Sequence, residues 1–173
     1  DASSWGTTNI SRIGEIRIAP ASNLTRTYSA YLITGDGADD WTEEGITWNN
    51  APANNVEISN RNFVAYPGQT VTLLGTVSGG GVGTNLTIPF GPGSVGEMEL
   101  INALNSGSRK VTIGIRYNSS QTNTVGIFSR EHEGGSMAAA LVVLPPDRVI
   151  PVTMDAHINW IFASINFGTA DVL

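Results

Sequence analysis

Short β-branched runs recur along this chain at close spacing, each ended by a cluster of Gly, Pro or Asn, and this punctuation narrows the fold more than any other feature. Gly and Pro weaken element interiors and favour turns, so strands bounded by them predict an all-β chain, a sandwich or barrel. The best-patterned run places Val111, Ile113, Ile115 and Tyr117 alternately with Thr112, Gly114 and Arg116. Such alternation is that of a half-buried strand. Further strands are expected over Ile13 to Ala19, Thr27 to Gly35, Thr70 to Val77, Asn85 to Phe90, Thr124 to Ser129 and Ala138 to Leu144. The last is apolar on both faces and is expected at the centre of a sheet.

One short helix breaks the pattern. Val95, Met98, Ile101 and Leu104 fall at helical spacing behind Ser94, with Glu97 placed to complete a capping box. The helix is expected near Val95 to Asn105, with Gly107 as its left-handed stop. Ser78 to Gly83, reading SGGGVG, is expected as a hairpin tip with nothing to bind.

With 173 residues the chain fits one domain and buries roughly 70% of its unfolded surface without covalent staples. It has no cysteine, which excludes disulfides and cysteine zinc sites. Nine scattered basic residues against fifteen acids, a net charge of -6, exclude a nucleic-acid footprint. No apolar run approaches the ~20 residues of a membrane-spanning helix, so membrane insertion is not expected. Charged residues are only 14%, against about 25% in a typical soluble domain. The deficit is filled by Gly, Ser, Thr and Asn. Sequons at Asn9, Asn23, Asn85 and Asn118 fit a secreted, loop-rich protein. The absence of an initiator Met and of a leader points to a processed product or an excised piece.

The sandwich is expected over residues 1–144. Residues 145–152 contain PPDRVIP, a Pro-rich spacer of about 3.1 Å per residue when extended. Residues 153–173 form a terminal segment of strong β character, with Ile158, Trp160, Phe162 and Phe167. Left unpaired it would aggregate, so it is expected to complete a neighbouring unit.

Motifs for chemistry are sparse. Gly91, Gly93 and Gly96 spell GxGxxG ahead of the helix, yet Pro89 and Pro92 flank it and no βαβ unit surrounds it, so it reads as a turn. His132 and His157 are the only histidines, no GxSxG elbow occurs, and Glu43, Glu44, Glu131 and Glu133 read as solvated or structural acids. Catalysis is therefore not expected. Asp36, Asp39 and Asp40 crowd the loop GDGADDW and could ligate calcium through hard oxygens, although the preferred reading is a polar turn. Trp5, Tyr66 and Tyr117 are candidate platforms for stacking on sugar rings, Tyr117 being also a core candidate. Arg12, Arg17 and Arg116 could cluster to attract anionic glycans if their strands are neighbours.

The stretches WTEEGITWNNAP from Trp41 to Pro52 and FSRE from Phe128 to Glu131, with TIPFGPGSVGEMELINALNSG between them, resemble the DNRLRE-type domain related to carbohydrate-binding module family 96. The resemblance covers roughly Ile13 to Leu144. It implies an extracellular β-sandwich of jelly-roll type, a fold that often carries structural calcium, with Trp41 and Trp48 internal. Members normally open with an Asn-aromatic-Gly-Thr strand, whereas here NFGTADVL, Asn166 to Leu173, stands last. Two functions follow as expectations. The first is a non-catalytic structural repeat of an extracellular or cell-surface fibre, binding copies of itself head to tail by strand donation. The second is a polysaccharide-binding module of a carbohydrate-active enzyme.

Overall fold

Alternation and punctuation become six strands and one helix in the computed structural model, which describes residues 9–42, 44–47, 49–54, 68–106, 109–118, 126–129 and 132–144. The elements are β1 (Arg12–Ile18), β2 (Arg26–Gly35), β3 (Gln69–Gly79), β4 (Leu86–Pro89), α1 (Val95–Asn105), β5 (Thr112–Asn118) and β6 (Ala140–Leu144). Two three-stranded sheets, ordered β4-β1-β6 and β3-β2-β5, are antiparallel throughout. Together they make an all-β sandwich with one short helix. Its core joins Ile13, Ile16 and Ile18 of β1 and Ile88 of β4 to Tyr28, Ala30 and Leu32 of β2, with Leu100 and Leu104 of α1 beside them.

Strict period-two alternation cannot place both Ile13 and Ile16 inward. A bulge solves this: the register with β6 runs Ile13 to Val143 and then Glu15 to Val142, leaving Gly14 as the extra residue. A similar shift on β3 pairs Ala30 with Gly75 and Tyr31 with Leu73, so Leu74 turns into the core while Leu73 stays exposed. At Gly75 the sheets approach closely. A Cβ there would lie 2.7 Å from Ile88 Cγ2.

The helix forms over the expected residues, and of the expected face Leu104 is buried and Ile101 packs against the core, but the inward face is rotated at its N-terminal half. Gly96, Glu97, Leu100 and Leu104 are buried, whereas Val95 and Met98 are exposed. Glu97 explains the rotation. Ser94 Oγ accepts the Glu97 N–H at 3.2 Å as a cap should. The Glu97 carboxylate then accepts the N–H of Gly93 at 2.6 Å and that of Ile13 at 3.1 Å, so it clamps β1 instead of closing the box on Ser94. At the far end Asn105 exchanges two 2.7 Å hydrogen bonds with the backbone of Ile10. The expected stop, Gly107, lies outside the described residues. Within them the Arg109 guanidinium donates from Nε to the Leu104 carbonyl.

Three further expectations are corrected. Ala138 to Leu144 shortens to β6, which among the described residues pairs only with β1 and so stands at a sheet edge; β1, more alternating, is central. Ser78 to Gly83 is not a hairpin tip, because β3 and β4 belong to different sheets; the arch between them is held by Gly81 N–H to Ser22 O and Gly83 N–H to Pro20 O. Of Thr124 to Ser129, the described part makes one bridge, Ile127 with Pro20, and no strand.

Candidate functional site

Where β2 ends and β3 begins, the chain builds a polar mouth on the sheet end. Gly35 faces Gln69 in the register, and Asp36 N–H donates to Gly68 O at 3.0 Å. Gly68 has φ +88, a conformation that favours glycine, and a Cβ there would also displace the Asp36 carboxylate. The Gln69 side chain ties three strands of backbone together. Its Nε2 donates to Asp36 O at 2.9 Å, and its Oε1 accepts from Ala53 N–H at 3.0 Å. Ala53, fully buried at φ 56, packs with Ile33, Ala38 and Val71 under this loop.

The stretch from Thr42 to Asn50 is folded by its own side chains. Asn50 Oδ1 accepts from Thr47 N–H at 2.5 Å and Thr47 Oγ1 at 3.0 Å, and Asn50 Nδ2 donates to Gly45 O at 2.9 Å. Between this stretch and Gln69 lies a cleft of about 320 Å³, lined by Asp36, Asn49, Asn50, Pro52 and Gln69 among others. Its volume falls at the lower end of small-ligand sites.

Trp41 is not core. It is 44% exposed, yet its indole N–H donates to Thr112 Oγ1 at 2.8 Å. The Thr112 hydroxyl in turn has Ala38 O at 2.6 Å and Asp39 Oδ1 at 2.9 Å as acceptors for its single proton. Thr112 is itself buried, so the tether fixes the ring while leaving much of it in solvent. An internal Trp was expected from the motif. The signal against it is the local sequence: Asp39, Asp40 and Thr42 surround the ring with residues that favour water.

The other candidates disperse. Asp36, Asp39 and Asp40 do not converge: among the described residues no group of three such side chains could hold a metal ion. Asp39 Oδ1 lies 2.9 Å from the Thr112 hydroxyl, a partner in a distant strand and not a backbone amide of its own turn. Tyr117 packs half-buried against the core, opposite Tyr28. Arg12 and Arg17 lie on β1 and Arg116 on β5, in different sheets, so they form no strand-neighbour cluster, and Arg17 pairs with Glu15. Gly93 of the GxGxxG turn has its amide occupied by Glu97, and Gly96 lies against Leu74, so the turn is structural. Glu44 and Glu133 are exposed, and His132 stacks on Phe128 at 4.1 Å between ring centres.

Trp5, Tyr66, Ile158, Trp160, Phe162 and Phe167 lie outside the described residues, as do Glu43, Trp48, Arg130, Glu131, His157 and the spacer. No helix among the described residues is long and apolar enough to cross a membrane. Comparison with known proteins gave no matching family, no matching curated protein and no matching solved structure.

Proposed function

We propose that this chain is a non-catalytic structural repeat of an extracellular or cell-surface fibre, in which the segment Thr153 to Leu173 of one unit adds as a strand to the next. One observation carries the reading. On β5 and on β6 the apolar residues Ile113, Ile115, Tyr117, Leu141 and Val143 pack against the core yet remain only partly buried. Both strands are sheet edges among the described residues. Val77 of β3 and Ile101 of α1 are likewise partly buried, but there β3 and β4 are brought together by the contact of Gly75 and Gly79 with Ile88 and Leu86. An edge with unpaired N–H and C=O groups beside half-covered apolar side chains favours an added strand. The terminal segment supplies the complement, with Ile158, Trp160 and Phe162 at alternate positions. Donation of this kind is head to tail and propagates as a filament.

Electron microscopy and sedimentation of the full chain and of a variant lacking Thr153 to Leu173 test this. Fibres from the full chain, none from the truncated one, and weakened assembly for Trp160→Asp are expected. A full chain that stays monomeric, or a truncated one that still polymerises, would overturn the reading.

Polysaccharide binding is the second reading, and the tethered, solvent-facing indole of Trp41 is what favours it. A tethered indole face suits a pyranose ring, and the cleft lined by Asp36 and Asn49 carries hydrogen-bonding groups of its own. Trp41→Ala should abolish retention on a neutral glycan gel; unchanged retention, or none by the parent on any glycan, would dismiss this reading. Retention on anionic polymers should be weak, since the net charge of -6 repels them.

A further inference from the structure

We propose that Arg26 and Tyr28 form an internal receptor for a carboxylate group. The two residues are two apart on β2 and so project from the same face of the sheet. Tyr28 is 2% exposed and sits in the core between Val77 and Tyr117 of the flanking strands. Its hydroxyl, and the Nε and Nη2 atoms of Arg26, are closed off from solvent, and none of the three has a hydrogen-bond partner among the described residues. Only Nη1 of the guanidinium is satisfied, by the Thr25 carbonyl at 3.0 Å.

Buried polar groups nearly always have partners, so three such atoms in one place call for a missing acceptor. The guanidinium nitrogens can only donate. Nε and Nη2 form one edge of that plane, a two-pronged donor whose geometry matches the two oxygens of a carboxylate. The Tyr28 hydroxyl adds a third donor, kept protonated because burial raises its pKa above 10.0 even though the nearby Arg26 charge acts to lower it. Water fits less well, since it brings two protons of its own to an edge that accepts none. A backbone carbonyl presents one oxygen to a fork built for two. The site lies at the start of β2, at the opposite end of that strand from Asp36 and the cleft, and it does not depend on strand donation.

The carboxylate has two sources, a small free acid or an acidic side chain of a second copy, and thermal unfolding separates them. Sodium formate is titrated against the full chain at constant ionic strength held with sodium chloride, at low and high protein concentration. For a free acid the midpoint rises saturably with formate, as for any ligand that binds only the folded state. For a second copy the midpoint in formate-free buffer rises with protein concentration, and formate removes that dependence by competing. Arg26→Met should abolish whichever response the parent shows. Tyr28→Phe, which keeps the ring in the core, should weaken it about tenfold in apparent affinity, the scale of one charge-assisted hydrogen bond. The proposal is overturned if formate does no more than chloride, neither raising the midpoint nor removing its dependence on protein concentration, or if both variants respond like the parent.

Discussion

Thr112 shows how one hydroxyl can organise a surface. It accepts from the Trp41 indole and shares its proton between Ala38 O and Asp39 Oδ1, so Thr112→Val leaves three polar groups to find new partners. We expect a loss of about 1–3 kcal/mol in urea unfolding, the cost of stranding buried polar groups. Easier quenching of Trp41 fluorescence by iodide should accompany it, measured against Trp41→Phe as the blank. Glu97 works by the same rule inside the fold. Its two carboxylate oxygens each accept a backbone N–H, and a Gln at that position offers one acceptor and turns an NH2 toward a donor. Glu97→Gln should therefore cost about 1–3 kcal/mol, read as a shift in urea midpoint without a change in slope. Tyr28 adds a pH dependence. Burial raises its folded pKa above the ordinary 10.0, so on alkaline titration the unfolded chain loses the phenolic proton first. Stability linked to this group is full below pH 10.0 and falls as the pH rises through and beyond that value. Tyr28→Phe should lack this part of the fall, which paired melts of parent and variant above pH 10.0 would detect.

Among the elements, β3 lies closest to the other sheet. Gly75 and Gly79 bring its backbone against Ile88 and Leu86, and a Cβ at Gly75 would meet Ile88 Cγ2 at 2.7 Å. Gly75→Val should destabilise by about 1–3 kcal/mol through overpacking. Double substitution with Ile88→Ala should recover part of that loss, and simple additivity in melts would argue against the contact. The helix has a comparable role at the other end of β1, where Glu97 and Asn105 hold Ile13 and Ile10 by their backbones. A helix that binds a strand through side-chain to main-chain bonds fixes where that strand starts. Apolar packing alone would allow it to slide.

At the scale of the molecule, β5 and β6 are sheet edges among the described residues and carry apolar side chains that are only partly buried, and the proposed assembly uses them. Acceptor and donor functions can then be lost separately. Ile115→Asp on β5 should block acceptance, and deletion of Thr153 to Leu173 should block donation. Neither variant should polymerise alone, but a mixture should form one-to-one pairs by sedimentation, because each retains the half that the other lacks. Pairs forming in either variant alone would contradict head-to-tail donation.

The strands, their alternation and the helix from Val95 to Asn105 were legible in the sequence because Gly, Pro and Asn end elements by local backbone preferences that need no neighbour. The turns from Gly35 to Asp40 were legible for the same reason, whereas the contact of Asp39 with Thr112, 73 positions away, was not. Which face of the helix turned inward was not, because Glu97 was drawn in by Ile13, a residue 84 positions away. The place of β6 at an edge and the exposure of Trp41 belong to the same class. Apolar composition says that a residue profits from burial, while the order of strands decides whether a neighbour is there to bury it. The orphaned donors of Arg26 and Tyr28 are likewise invisible in one dimension. A partner is missing only once packing has closed the space around both and excluded the water that would otherwise have served.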